Sequence, residues 1–267
     1  MEKIRIDAHA LLDKIRVQKP VIHHLTNWVT IYDCANIVKV LGASPVMAHA
    51  PEEVGQMAKI ASALVLNIGT LTVDFVGAMK IAAKSANEKG IPVVLDACGV
   101  GATDLRDKKC FELLDEVRID IVKGNSSEIA RVAGEQVRTK GVDATQVEKD
   151  LLEIAQDLAR KRRCTVVITG KEDIVTDGKK TYLVKNGDPM MSHIVGTGCM
   201  AASVIGTFAA VEKDLAYAAA AGLVCFEIAA ECAVKNSSGP GEFKERIFDC
   251  AFHLDKKTLD KMQKVEG

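Results

Sequence analysis

The chain has 267 residues, a formal net charge of -1 and a hydrophobic fraction of 48%. This length accommodates one large α/β domain or two small ones. The near-neutral charge argues against a broad basic surface for nucleic acid. No consecutive apolar run approaches the roughly 18 residues that cross a bilayer, and the N-terminus lacks the apolar stretch of a signal peptide. We therefore expect no nucleic-acid partner, no membrane partner and a cytoplasmic location.

Apolar runs rich in β-branched residues alternate along the chain with segments of helical length. The runs at residues 63–68, 92–95 and 165–168 predict strands that are buried on both faces of a sheet. Residues 71–89 and 145–163 have the length and apolar spacing of helices. This alternation predicts an α/β fold with a mostly parallel central sheet and helices on both faces.

The second half of the chain changes character. Residues 174–178 and 181–184 predict a β-hairpin with a glycine turn, which we place as an antiparallel edge of the sheet. After Gly196 the sequence is helical almost to its end, with a break at residues 236–241 and one or two further helices beyond it. There is no internal repeat and no long linker, so we expect one domain over residues 1–267.

The segment V-G-T-G-C-M at residues 195–200 is the most informative local element. Gly196 and Gly198 allow a tight turn that points successive N–H groups at one spot, and the helix that begins there adds the positive end of its dipole. Such a loop suits an oxyanion or a transferring phosphoryl group. Cys199 falls in the first turn, where we expect a lowered thiol pKa. From glycine spacing alone, a loop that caps a helix without any ligand remains an equal alternative.

The other seven cysteines carry less information. Among all eight there is no C-x-x-C pair, so neither structural zinc nor a disulfide framework is expected. Most of them stand in apolar contexts, where a free thiol behaves as a small hydrophobic group.

Two carboxylates follow predicted strands. Asp96 precedes a loop with two glycines, where it either holds Mg²⁺ or accepts hydrogen bonds from Gly99 and Gly101. The run N-S-S-E at residues 125–128 predicts a helix N-cap with a capping-box glutamate, and Glu128 is alternatively placed near hydrated Mg²⁺ and phosphates. Because ligands bind outside the carboxyl ends of parallel strands, we expect these groups to converge on one sheet edge.

Two common nucleotide motifs do not fit. The P-loop sequence G-x-x-x-x-G-K-S/T is absent. The G-V-G at residues 99–101 lacks the third glycine of the dinucleotide fingerprint, which leaves a Rossmann site as a weak alternative. The histidines have no regularly spaced partners of the kind that a metal site needs.

With these elements placed, the chain resembles the hydroxyethylthiazole kinase family, part of the ribokinase-like superfamily, from about residue 20 to residue 245. The resemblance rests on these stretches: L-T-N-W-V-T at 25–30, G-A-S-P-V-M at 42–47, A-P-E-E-V at 50–54, N-I-G-T-L at 67–71, G-V-G-A-T at 99–103, G-N-S-S-E at 124–128 and G-T-G-C at 196–199. It implies a ribokinase-like three-layer sandwich and an ATP-dependent kinase that phosphorylates 4-methyl-5-(2-hydroxyethyl)thiazole in thiamine salvage.

The resemblance also implies roles for particular residues. The positions it assigns are Asn27, Met47 and Gly196 for the thiazole, Lys123, Thr169 and Gly198 for ATP, and Asp96 and Glu128 for Mg²⁺. Cys199 stands where most ribokinase-like enzymes place an aspartate that serves as general base, and the thiazole kinases share the cysteine. The family forms trimers with active sites between subunits, so a homotrimer is the implied assembly.

The chain departs from the family pattern at two positions. It reads D-A-C-G at residues 96–99 where members commonly have D-P-V-G, and it carries Lys123 where many have arginine. Lysine weakens any bidentate grip on phosphate, although it keeps the charge. Two alternatives stay open: a hydroxymethylpyrimidine or pyridoxal kinase of the same fold, and a non-catalytic nucleotide-binding protein.

Overall fold

The computed structural model describes residues 2–135 and 151–267, and ten strands in these residues form one sheet. The strands are β1 (Lys3–Ile4), β2 (Val21–Leu25), β3 (Ser44–Val46), β4 (Ala63–Asn67), β5 (Val93–Asp96), β6 (Ile121–Asn125), β7 (Thr165–Thr169), β8 (Asp173–Thr176), β9 (Thr181–Val184) and β10 (Val265–Glu266). The helices are α1 (Ala8–Gln18), α2 (Ile31–Val40), α3 (Val54–Ile60), α4 (Val73–Lys89), α5 (Asp104–Glu116), α6 (Ser126–Ala133), α7 (Leu151–Arg162), α8 (Thr197–Ala209), α9 (Leu215–Val234), α10 (Pro240–Phe252) and α11 (Lys256–Met262), with a 3₁₀ helix at Pro189–His193.

The sheet is parallel at its centre and antiparallel along one side. The strand order is β1-β10-β9-β8-β7-β6-β5-β4-β2-β3, and the six strands from β7 to β3 run parallel. The predicted hairpin is β8 and β9, which continue the sheet antiparallel to β7. This confirms the predicted α/β class. The short terminal strands β1 and β10 were not predicted, because two residues show no periodicity.

Each central strand sends alternate side chains into two separate cores. In β4, Ala63 and Val65 face a core built with α1, α2 and α8 to α11, whereas Leu64 and Leu66 face a core built with α3 to α7. Burial on both faces explains why these strands read as continuous apolar runs. Helices, sheet and helices therefore form the three layers expected of the fold.

The predicted helices at residues 71–89 and 145–163 are α4 and α7. Thr72 caps α4 by accepting a hydrogen bond from the Phe75 N–H, and Gly90 ends it with a φ of 79°. The described part of the second helix is Leu151–Arg162, and the predicted positions 145–150 lie outside the described residues.

Helix α9 is the one helix in residues 2–135 and 151–267 that is long and apolar enough to cross a membrane by length and composition. Its apolar window has a mean hydropathy of 1.6, but 78% of that window is buried inside the structure. Phe226 and Ile228 lie in the core beside α8 and α10. The apolar character of α9 is thus that of a buried core helix.

Glycine at position 206 sets how closely α8 approaches the sheet. A Cβ at Gly206 would overlap the Cγ2 atom of Val65 in β4, whereas a Cβ at Gly77 in α4 would meet no atom within 4 Å.

We expect Gly206→Ala to lower the free energy of unfolding by about 1–3 kcal/mol, since α8 must move away from the sheet. Gly77→Ala is the matched control and should raise it by about 0.5–1 kcal/mol through helix propensity. Urea unfolding of both variants measures this, and equal effects would contradict the close packing.

Candidate active site

The site lies where the carboxyl ends of the parallel strands meet the start of α8. Asn67 ends β4 and pairs in register with Asp96 at the end of β5. Asp96 in turn pairs with Lys123 in β6. Asn27 follows β2 by two residues, so four neighbouring strands each deliver one polar side chain to the same edge. The expected convergence on one sheet edge is what the fold produces.

These side chains form a continuous hydrogen-bonded network around the Cys199 thiol. Lys123 Nζ lies 3.2 Å from Asp96 Oδ1, and Asn67 Nδ2 donates to Asp96 Oδ2 at 2.7 Å. The Cys199 Sγ atom accepts from Asn27 Nδ2 at 3.2 Å and from Asn67 Nδ2 at 3.3 Å. Asn27 also donates to Asn67 Oδ1 at 3.0 Å. We call these five residues the Cys199 network.

The charges of the network are buried. Lys123 is 4% exposed and Asp96 is fully buried. Burial raises the pKa of Asp96 to about 7, and the neighbouring Lys123 ammonium opposes that rise. Burial by itself would lower the pKa of Lys123, but the carboxylates of Asp96 and Glu128 hold it above its ordinary value. A permanent positive charge is therefore held beside the start of α8.

The glycine loop brings backbone N–H groups to this charge. Gly196 precedes α8 with a φ of 102°, and a Cβ there would lie 2.6 Å from Thr30 Cγ2, so the position requires glycine. A Cβ at Gly198 would lie 3.1 Å from Lys123 Nζ, which shows how close the helix backbone comes to the ammonium. Gly196 supplies no side-chain cap, and the first-turn N–H groups of a helix lack intrahelical acceptors. Loop and lysine together form a cradle for an anion.

The Cys199 thiol is strongly acidified in this setting. Its pKa falls to about 5, first because the Cys98 thiol donates a hydrogen bond to it, and further through Thr30, Lys123 and Asn27, while burial opposes the fall. The sequence expectation of a lowered pKa in the first helical turn agrees with this direction. A sulfur atom that accepts several hydrogen bonds beside an ammonium is stabilised as a thiolate.

The glycine loop after β5 is held by other carboxylates than the one expected. Gly99 N–H donates to Glu128 Oε1 and Gly101 N–H donates to Asp107 Oδ1, each at 2.7 Å. The expectation that Asp96 accepts these bonds is wrong, because both of its oxygens face the side chains of Lys123 and Asn67.

Glu128 completes the predicted capping box at the start of α6. Its Oε2 atom accepts from the Asn125 N–H at 2.7 Å, while the Asn125 side chain accepts from the Glu128 N–H at 2.9 Å. The Glu128 side chain thus caps the N-terminus of α6 and, by accepting from the Gly99 N–H, ties this helix to the loop after β5.

Thr169 and Met47 are sequence-predicted positions that take no part in the Cys199 network or in the glycine loop beside it. Thr169 ends β7 beside Asn125, and its hydroxyl donates to the Gly124 carbonyl at 3.4 Å. Met47 follows the edge strand β3, and its carbonyl accepts from His49 Nδ1. In the described residues, none of the hydrogen bonds around Cys199 reaches Met47 or Thr169.

Sequence reasoning gave no role to two residues that shape the site. Asn67 bridges Asp96 and Cys199, and its signals were a polar residue near the end of a buried apolar run and its place in the N-I-G-T-L stretch. Arg106 in α5 donates to the carbonyls of Ile68, Gly69 and Cys98, which joins the loops after β4 and β5. Nothing in the local sequence around Arg106 marks it, since its acceptors are backbone atoms of distant segments.

The carboxylates of Asp96 and Glu128 are the side chains of the site that fit Mg²⁺. No group of three or more metal-ligating side chains occurs within residues 2–135 and 151–267. Asp96 and Glu128 each already accept two hydrogen bonds, but a carboxylate oxygen has a second lone pair. Because Mg²⁺ commonly takes one or two carboxylates and completes its shell with water and phosphate oxygens, these residues fit it.

The mostly parallel sheet between two helical layers, with a buried charge pair and a glycine-headed helix at its carboxyl edge, has the ribokinase-like fold. Solved structures agree on the fold: a Bacillus subtilis pyridoxal kinase has a TM-score of 0.60 at 16% identity, covering 79% of this chain and 91% of that one. A ribokinase-like superfamily protein from Enterococcus faecalis has a TM-score of 0.64 at 12% identity, covering 94% and 98%.

Residues 12–257 match the hydroxyethylthiazole kinase family, and the chain belongs to it. It is 54% identical over 255 residues to a hydroxyethylthiazole kinase of Methanosarcina mazei, covering 96% of this chain and 98% of that one. The structure of the Pyrococcus horikoshii hydroxyethylthiazole kinase has a TM-score of 0.90 at 37% identity, covering 97% and 98%. This confirms the resemblance and the assignment as a phosphotransferase.

The acidity of Cys199 can be measured by alkylation. A pKa of about 5 makes the thiolate the main form above that pH and the thiol the main form below it. We expect the rate of iodoacetamide labelling at Cys199 to be nearly flat from pH 6 to 8 and to fall below pH 5. An ordinary thiol, with a pKa of roughly 8.5, would instead label faster through that whole range. Peptide mass spectrometry reads Cys199 separately, and a rate that climbs tenfold per pH unit from 6 to 8 would contradict the geometry.

Proposed function

We propose that the protein transfers the γ-phosphoryl group of ATP to the hydroxyl of 4-methyl-5-(2-hydroxyethyl)thiazole, as a step of thiamine salvage. The observation that carries this proposal is the Cys199 network at the glycine-headed start of α8, in a chain that belongs to the thiazole kinase family. The network offers a positive charge, open backbone N–H groups and a hydrogen-bonding sulfur at one point, which are the groups that alcohol phosphorylation needs.

The two substrates are assigned to opposite sides of this point. We assign the thiazole to the side of Asn27, Met47 and Gly196, so that its alcohol lies near the Cys199 Sγ atom. We assign ATP to the side of Lys123, Thr169 and Gly198, where the lysine and the α8 N–H groups face the phosphates. The order of β2, β4, β5, β6 and β7 along the sheet supports this division, because Asn27 and Thr169 lie at its two ends.

Cys199 assists the reaction rather than dominating it. Phosphoryl transfer passes through a loose transition state in which the attacking alcohol keeps most of its proton until late. A thiolate with a pKa of about 5 is a weak base, but it accepts the hydrogen bond of the alcohol and orients its oxygen. Lys123 and the N–H groups of the loop stabilise the charge that develops on the transferring phosphoryl oxygens.

Mg²⁺ belongs to the same proposal, with Asp96 and Glu128 as the residues that would hold it beside the phosphates. When bound, it supplies neutralisation of phosphate charge. The Lys123 ammonium, 3.2 Å from Asp96, keeps one carboxylate charge from repelling the nucleotide.

The assembly we propose is a homotrimer with sites between subunits. Met47 lies at the edge strand, apart from the Cys199 network, and large apolar side chains beside the site are exposed: Trp28 is 50% exposed, Tyr32 74% and Val195 72%. Light scattering that gives the mass of a single chain would exclude the trimer.

We further propose that residues 1–267 form one domain, which the continuity of the sheet from β1 to β10 supports. A cytoplasmic location is also part of the proposal.

The acceptor alcohol is tested by ATP consumption with Mg²⁺ and three candidates. We expect turnover with 4-methyl-5-(2-hydroxyethyl)thiazole and little with hydroxymethylpyrimidine or pyridoxal, with phosphorylated thiazole identified by mass spectrometry. Preferred turnover of either other alcohol would keep the kinase and replace the substrate. Tight ATP binding without turnover of any alcohol would favour the non-catalytic nucleotide-binding protein.

Two substitutions compare how much the Cys199 sulfur and the Lys123 charge each contribute to kcat. We expect Cys199→Ala to lower kcat by no more than about 10²-fold, the low end for loss of a general base. Lys123→Met should cost more, about 10³-fold, since it removes charge stabilisation of the transition state. Lys123→Arg is the control that keeps the charge and should retain most activity. Circular dichroism and ATP binding check that each variant is folded, and a folded Cys199→Ala enzyme without turnover would refute the assisting role.

A further inference from the structure

A buried histidine holds the segment that follows the edge strand β3. His23 in β2 pairs in register with Val46 at the end of β3. The His23 ring Nε2 atom lies 2.8 Å from the Ala48 carbonyl oxygen. In the sheet that the described residues form, β3 is an edge strand with a strand neighbour on one side only. The histidine contact therefore anchors the part of the chain that carries Met47 as it leaves the sheet.

The protonation of the His23 ring follows from its partner. A carbonyl oxygen only accepts, so the Nε2 atom carries the hydrogen atom and donates it to Ala48. Burial lowers the pKa of His23, which favours the neutral ring with a single N–H group. The side chain is fully buried, and its Nδ1 atom has no hydrogen-bond partner within the part of the chain that the structure describes. Loss of the bond to Ala48 would thus release the segment from its support in the sheet.

An aromatic contact holds the same segment at the surface. The rings of Trp28 and His49 meet edge to face, with their centroids 4.8 Å apart. The Trp28 ring also stacks on Phe75 in the first turn of α4, at 5.7 Å between centroids. His49 Nδ1 donates to the Met47 carbonyl at 3.3 Å, which links this ring contact to Met47. Residues 47–49 are therefore held at two points, one buried and one exposed.

We propose that His23 is a positioning residue for the acceptor alcohol, because its bond to the Ala48 carbonyl fixes residues 47–49 where Met47 contacts the thiazole. The inference rests on the proposed function, in which Met47 belongs to the acceptor side. His23 acts through the backbone of the segment and not on the reacting atoms. Its loss should weaken acceptor binding and leave the charge stabilisation by Lys123 in place. This holds for a site within one subunit and for a site between subunits.

The next residue of β2 supplies a matched control. His24 is 1% exposed and, like His23, has a ring nitrogen without a hydrogen-bond partner among the described residues. Successive side chains of a strand point to opposite faces, and His24 Nδ1 lies 3.1 Å from the Ile22 carbonyl of its own strand. A substitution of His24 thus removes a buried imidazole without removing the bond to Ala48.

The inference is tested by steady-state kinetics on the full-length protein, with the alcohol that the wild-type enzyme phosphorylates fastest as acceptor. We expect His23→Leu to raise the KM for this alcohol about tenfold, the effect of one lost hydrogen bond, while kcat and the KM for ATP stay within about twofold. His23→Gln keeps an N–H donor with the reach of Nε2 and should bring the KM back near the wild-type value. His24→Leu should leave all three constants near those of wild type.

Trp28 gives a second readout that needs no turnover. It is the single tryptophan of the chain, so the emission of the protein reports its surroundings. We expect the emission of His23→Leu to shift to longer wavelength, because the released segment withdraws the His49 ring and exposes Trp28 to water. His23→Gln and His24→Leu should keep the wild-type emission.

His23→Asn is a second variant without the bond, since its shorter amide ends near the Nδ1 position and does not reach Ala48. It should match His23→Leu, and it replaces that variant if the leucine protein does not fold. A folded variant of either kind with the wild-type acceptor KM would overturn the inference, as would an equal rise of KM in His24→Leu. If wild-type protein turns over no alcohol, the proposed function fails, and the Trp28 emission of the two variants then decides on the anchor alone.

Discussion

The buried ion pair between Lys123 and Asp96 is the interaction on which the site depends. Removing two charges from water is costly, and it is offset only when each charge has a close partner and further hydrogen bonds. The pair meets this condition through the 3.2 Å contact between the charges and the Asn67 amide on the second Asp96 oxygen. The same Asn67 amide also donates to the Cys199 Sγ atom, so the side chain that satisfies Asp96 also positions the sulfur.

Close packing of α8 on the sheet is the second requirement. Buried alanines and Gly206 let the helix lie directly on β4 and β5, and its start therefore meets the strand ends that carry Asn67 and Asp96. Gly198 has no side chain, and this lets the Lys123 ammonium approach the helix backbone. The packing of α8 on the sheet therefore also sets the geometry of the site.

Some site residues could be predicted from local sequence and others could not. The glycine pair at Gly196 and Gly198 predicted a tight turn before a helix, but its spacing alone left a loop without any ligand as an equal alternative. The capping box at Asn125 and Glu128 was predictable because it needs only three-residue spacing. Of the two roles considered for Asp96, acceptance of the Gly99 N–H is wrong, because Glu128 is the acceptor. The carboxylate that faces the loop after β5 is set by the register of the strands and by the position of α6. A short stretch of sequence determines neither.

The sequence by itself determined the alternation of buried strands and helices, the antiparallel hairpin and, through its motifs, the family. These features follow from periodicity and from residue types that have one strong local preference. Only the tertiary structure decided the partners: Asn27 and Asn67 with Cys199, and Arg106 with the loop carbonyls. Each of these contacts joins segments far apart in the chain, so its existence depends on how strands are ordered and layers are packed, which no local pattern records.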